Sequence, residues 1–262
     1  MTLLVVGSLL TGCAGGSAGA GKGADNSPSR SAGSPSHGGS PGTGASPSSG
    51  SGTASVFTPD AALVPRTSAD GQRLADSVVL APGDWGRGFV AQSPASSAPG
   101  TWAVLDGRCR WEREKLPHGV LASVSRYSRL PGDKDKGPVK VTAAATVHAS
   151  VLSADDQLST TLEEVLRCPE QQPRSDEKIM GLRSLSVSQQ QYADDSVLED
   201  GKFVARSGET QPYRWMVARL GTVVVAVSVT GGKGHTQQEL SQLGDNALAQ
   251  LLLRVQQRLK GK

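Results

Sequence analysis

Among the side chains able to carry chemistry, the four histidines come first: His37, His118, His148 and His235. A zinc helix needs two ligands one turn apart, and no pair here has the i, i+4 spacing. Ser-His-Asp sites assemble from distant positions, so a triad built on His118, His148 or His235 stays open as the minor reading, a cell-envelope hydrolase. Adjacent carboxylates occur at Asp155-Asp156, Glu163-Glu164 and Asp194-Asp195. Such pairs can share acid–base work, yet the first two fall on the polar face of an amphipathic helix, where solvated acids are ordinary. Residues 15–19 and 38–42 both read G-x-S-x-G, and residues 16–22 nearly spell a phosphate-binding loop. None has the strand before and helix after that these motifs require. TGGKGHTQQEL, residues 230–240, could seat an anion at a helix N-terminus, but it lacks the phosphate-loop spacing and reads as a plain strand-to-helix turn. Trp102, Trp111, Trp215 and Tyr213 are expected as core anchors, and a ligand groove lined by some of them stays open. The expectation is no catalytic residue, no cofactor and no metal site.

The elements that would position these groups follow from hydrophobic period. VVLAPGDWGRGFV, residues 78–90, is a short apolar run and a Pro-Gly turn, expected as a strand or helical turn that docks Trp85 and Phe89 on the core. Residues 119–130 and 139–151 alternate apolar and polar positions around the turn PGDKDKGP, which predicts an antiparallel pair. SADDQLSTTLEEVLRC predicts a helix capped by Ser153, with Leu158, Leu162, Val165 and Leu166 as its apolar stripe. Further strands are expected at 179–187, 203–206, 213–220 and 222–230, the last two joined at Gly221 and the run VVVAV most deeply buried. A capping box, Thr236 to Glu239, opens a final helix whose apolar positions run from Leu240 to Leu259. Strands, helix, strands, helix argue an α+β fold, a mainly antiparallel sheet packed with helices.

Composition divides the chain. Residues 14–55 contain 12 Gly, 12 Ser, 7 Ala and 4 Pro in 42 positions and no large apolar side chain, so this stretch cannot bury a core. It is a flexible linker with a root-mean-square reach of roughly 35–40 Å. From residue 56 onward the apolar spacing supports one domain. The 27 basic and 24 acidic residues interleave without a run of one sign, which leaves no nucleic-acid footprint.

Directly before the linker, residues 3–10 form an apolar run that ends in Leu10-Thr11-Gly12-Cys13. This resembles the lipobox of bacterial lipoproteins. The resemblance implies a signal peptide at 1–12, cleavage before Cys13, and acylation of Cys13 by a diacylglycerol and further chains such as palmitate. Two or three chains anchor a protein stably where one does so only marginally. The protein would then sit on the extracytoplasmic face of the cell membrane, where disulfides are permitted. Cys109 and Cys168 are the remaining two cysteines, so a bridge between them is expected, two unpaired buried thiols being the alternative.

With LAPGDWGRGF at 80–89, the Cys109 and Cys168 pair, and the ending RLGTVVVAVSV before the last helix, residues 78–259 are similar to the extracytoplasmic sensor domains of PknH-type serine/threonine kinases. The chain as a whole resembles an actinobacterial cell-envelope lipoprotein. The resemblance implies a non-catalytic α+β module with a groove for an envelope ligand, lipid or glycan, and assigns no binding residue. The expected function is a lipid-anchored ligand-binding or sensor-like module. An envelope hydrolase and an accessory subunit docking on a membrane complex are the alternatives.

Overall fold

A computed structural model describes residues 57–185 and 192–260. Cys13, His37 and the motif-like strings at 15–22 and 38–42 lie outside the described residues, as does the end of the strand expected at 179–187.

Among the described residues, ten strands and three α-helices follow one another. They are α1 (Ser68–Val78), β1 (Val90–Ser96), β2 (Thr101–Leu105), β3 (Trp111–Lys115), β4 (Val120–Leu130), β5 (Val139–His148), α2 (Val151–Arg167), β6 (Gln171–Arg174), β7 (Glu177–Leu185), β8 (Asp195–Val204), β9 (Thr210–Leu220), β10 (Val223–Gly231) and α3 (Gln237–Lys260). Eight strands make one antiparallel sheet in the order β1-β4-β5-β10-β9-β8-β7-β6, and β2-β3 is a separate hairpin. The α+β expectation holds.

Alternation along the central strands explains the layers. On β5, Val139, Val141, Ala143, Ala145 and Val147 share one face with Val223, Val225, Val227 and Val229 of β10. Successive side chains of a strand point to opposite faces, so these residues commit one side of the sheet to burial. Helices α1 and α3 cover it, with Leu248, Leu251, Leu252 and Val255 of α3 nearly inaccessible. Each such side chain contributes about 1.5–3 kcal/mol, which makes this face the main core. Two glycines let the helices approach: a Cβ on Gly71 of α1 would lie 2.8 Å from the Leu121 Cβ, and one on Gly244 of α3 would run into the Met216 side chain.

The opposite face carries the even positions of β5 and β10 and is only partly covered, by α2. Ala154 and Leu158 of α2 pack on Val197, Val217 and Val224. Val165 packs farther along, on Ile179, Leu182, Phe203 and Tyr213.

Several expectations are corrected in detail. Helix α2 begins three residues earlier than expected: Ser150 is its N-cap and accepts the Ser153 N–H, while Ser153 is inside the first turn. Its buried stripe is Ala154, Leu158, Thr161 and Val165, whereas Leu162 and Leu166 face outward, Leu166 with 84% of its surface exposed. Small residues on that stripe let the helix lie close to the sheet, a choice that leucine spacing does not reveal. The short strand expected at 203–206 is the end of the ten-residue β8. Residues 57–77, for which no element was expected, contain α1, capped by the Thr67 hydroxyl. Residues 78–90 close α1 and form a 3-10 turn at Pro82–Trp85. Asp84 accepts the Ala81 N–H at 2.7 Å and pairs with Arg254 of α3 at 2.8 Å, and Trp85 is buried. The PGDKDKGP turn joins β4 to β5 in register, Leu130 opposite Val139. Gly221, with φ +60°, and Thr222 link β9 to β10 as a two-residue hairpin loop.

Candidate functional site

The half-covered face of the sheet holds a groove of about 380 Å³. Its floor comes from the even positions of the central strands, Thr142 and Ala144 on β5 and Ala226 and Ser228 on β10. These side chains are small, so the floor lies low. Larger residues on the next two strands, Tyr213 and Trp215 on β9 and Phe203 on β8, line the groove beside it as an aromatic wall. Tyr127 and Ser125 of β4 bound the other side.

The hairpin β2-β3 closes the groove. It packs on β4 through β2 and on β6 through β3, so it runs across the face of the sheet. Cys109, at its turn, forms a disulfide with Cys168, the residue that ends α2. Gln172 donates its backbone N–H to the Cys109 carbonyl at 2.8 Å, and Arg167 of α2 donates to the Asp106 carbonyl at 3.0 Å. Asp106 organises the turn by accepting the Arg110 and Arg108 backbone N–H groups, and the Arg110 bonds above all hold its carboxyl down to about 2. The hairpin thereby presents Trp111, whose ring meets Trp215 edge-on with centroids 5.1 Å apart. The Trp111 indole N–H donates to Gln171 Oε1 at 2.8 Å, so both ends of the ring are set.

Charges around the groove are paired, except that Arg113 is held by neutral oxygens. Lys140 Nζ lies 2.9 Å from Glu177 Oε1 and 5.2 Å from the Phe203 ring centroid. Arg174 sits 3.7 Å from the other Glu177 oxygen. Arg113 donates to the Thr101 carbonyl at 2.7 Å and to its hydroxyl at 2.8 Å, while Glu112 pairs with Arg110 at 2.9 Å.

Beneath α2 lies a second polar feature. Glu199 of β8 is 2% exposed, and its Oε1 has no hydrogen-bond partner among the described residues. Burial, together with the neighbouring Glu164 carboxylate, pushes Glu199 up to about 7. Burial also raises Glu164 to about 7, against the opposing pull of Arg167 and the Leu105 backbone N–H. The expectation that Glu163-Glu164 decorates a solvated face therefore holds for Glu163 and fails for Glu164, which turns inward where the helix meets β8. The other pairs serve structure: Arg219 lies between Asp155 of α2 and Asp194, whose Oδ2 also accepts the Gly221 N–H at 2.8 Å.

The histidines are not brought to the groove. His148 is buried, its Nε2 lies 2.7 Å from Gln157 Oε1, and burial lowers its pKa. His235 joins two loops through the Gly137 carbonyl at 2.9 Å, and His118 is exposed. Among the described residues none of the three hydrogen-bonds a serine or aspartate side chain. No group of metal-ligating side chains occurs among the described residues either. At the turn 230–240, Glu239 occupies the N-terminus of α3. It accepts the Thr236 N–H at 2.8 Å and pairs with Lys136 at 2.8 Å, and Lys136 holds its carboxyl down to about 2.

Of the four aromatic residues singled out in the sequence, Trp111, Trp215 and Tyr213 line the groove and Trp102 does not. Lys140, Glu177, Phe203 and the small floor residues are additions from the structure. The alternation of Thr142 and Ala144 with buried valines was their one visible signal.

No family model matches the chain, and no curated protein matches it. Among solved structures, the fold is similar to the extracellular domain of PknH from Mycobacterium tuberculosis, with 12% identity, 74% of this chain and 98% of that chain covered, and a TM-score of 0.42. It is also similar to an uncharacterized protein of Mycobacterium smegmatis, an Rv0999 ortholog, with 10% identity, 64% and 90% covered, and a TM-score of 0.35.

Proposed function

We propose that residues 56–262 are a ligand-binding, sensor-like module without catalysis, tethered by the linker 13–55 to a lipid on Cys13 after removal of residues 1–12. The observation that carries the binding reading is the groove: a low floor, an aromatic wall and a disulfide-pinned hairpin make a preformed concave site of the size small ligands occupy. The anchor reading rests on the lipobox-like sequence ending at Cys13 and on the linker after it. A disulfide of this kind suits an extracytoplasmic compartment. No helix among the described residues is long and apolar enough to cross a membrane.

A docking role on a membrane complex has one observation in its favour, the leucines on the outer side of α2, Leu152 at 70% and Leu166 at 84% exposure. Mass spectrometry of small molecules that co-purify with the full-length protein separates the two. A stoichiometric ligand supports the binding module. An empty groove together with a co-purifying membrane protein favours docking.

A further inference from the structure

The geometry points to a neutral saccharide, one or two pyranose rings at a time, as the ligand class of the groove. The inference rests on the groove being a ligand site and adds what the ligand must be. Three features narrow the chemistry.

The first is charge. Glu112, Arg113, Lys140, Arg174 and Glu177 are the charged residues around the groove, and each has an internal partner. A cationic ligand would have to take Glu112 from Arg110 or Glu177 from Lys140 and Arg174, and an anionic one would have to displace the Thr101 oxygens from Arg113 or Glu177 from its two cations. An uncharged ligand leaves them intact.

The second is the floor. Thr142 and Ser228 put hydroxyls at its centre, with Ser125 and Thr230 at its sides. An acyl chain laid there would take these hydroxyls out of water without giving them a partner, an expensive exchange. A polyol supplies both donors and acceptors, and hydroxyl rotors adapt to either.

The third is the wall. Trp111 and Trp215 meet edge-on at an interplanar angle of 64°, with Tyr213 and Phe203 beside them. Aromatic faces are electron-rich and attract the polarised C–H bonds of a sugar ring's flat face. Saccharides combine such a face with a hydroxyl rim, and the groove offers the complement of each on adjacent sides. A volume of about 380 Å³ is at the small end of ligand sites, which limits occupancy to one or two rings.

The test is titration of the full-length protein, its indole N–H groups labelled with nitrogen-15. The probes are an array of neutral oligosaccharides that includes maltose, cellobiose and diacetylchitobiose, an acidic disaccharide, and palmitate. A neutral sugar is expected to shift the Trp111 and Trp215 indole resonances. Trp111→Ala is expected to weaken that sugar about tenfold or more, and Trp111→Phe to retain most of its affinity. Because loss of Trp111 could loosen the hairpin, Ala226→Leu is the second variant: it fills the floor from a central strand and abolishes binding with the thermal midpoint unchanged. Shifts from palmitate alone, or from the acidic sugar alone, overturn the neutral-saccharide assignment and leave the groove a ligand site. A sugar that binds Ala226→Leu as well as the parent chain sits elsewhere and overturns the assignment too. Silence from every probe overturns both readings.

Discussion

Glu199 opposes the pH response of the domain's salt-bridged carboxyls Asp106 and Glu239, which are held low. Its carboxyl is buried beneath α2 beside Glu164, and burial pushes both up to about 7 from their ordinary value. An acid whose pKa rises on folding is easier to ionise in the unfolded chain. The stabilising contribution of this pair is therefore full below the ordinary carboxylate range and falls as pH rises toward 7. Glu199→Gln removes a charge that burial penalises, so urea melts should show the variant more stable at pH 8 by on the order of 2 kcal/mol. At pH 4 the two proteins should coincide. A gain at pH 4 as large as at pH 8 would mean that packing, not ionisation, is the cause. At the same scale, Gly71→Ala tests the close approach of α1 to β4. The added Cβ would lie 2.8 Å from Leu121 Cβ, and the expected cost in thermal or urea melts is about 1–3 kcal/mol despite the better helix former.

Between elements, the disulfide decides the most. It joins residues 59 apart in sequence and ties the groove-closing hairpin to the end of α2. The chain-entropy model values such a cross-link at roughly 4 kcal/mol as an upper figure. Cys109→Ser with Cys168→Ser should lower stability by less than that, and hydrogen exchange should accelerate first in residues 101–115, with β5 and β10 still protected. Uniform acceleration across the sheet would show that the hairpin is part of the main cooperative unit. The start of α2 gives a second prediction: Ser150→Ala should cost about 1 kcal/mol and Ser153→Ala clearly less, because the Ser150 hydroxyl accepts the helix N–H. This reverses the order expected from sequence. SADDQ offers an attractive capping pattern, but the chain leaves β5 at His148 and turns at Ser150, so the exit from the strand selects the cap.

For the whole molecule, the anchor is the property to test. Metabolic labelling with radioactive palmitate should mark the protein, and Cys13→Ser should lose the label and release the protein from the membrane fraction. Undiminished label in that variant would refute the anchor. The long-period elements were legible in sequence because their information is local: α3 shows a capping box and an unbroken apolar stripe, and the β4-β5 pair shows alternation around a turn. Cys109 and Cys168 were legible as partners because they are the two cysteines of the folded part. The groove was only partly so. Trp111, Trp215 and Tyr213 drew notice as aromatic residues, yet a half-buried aromatic has the same sequence signature in a core as in a wall. Composition and period thus determined the α+β class and the order of its main elements, and the cysteine count the pairing of Cys109 with Cys168. Tertiary structure alone decided that small side chains on two central strands would face the hairpin across open space, and that Glu164 would turn toward Glu199. Both outcomes depend on which face of the sheet α2 covers and how far it reaches, a matter of packing between segments far apart in sequence.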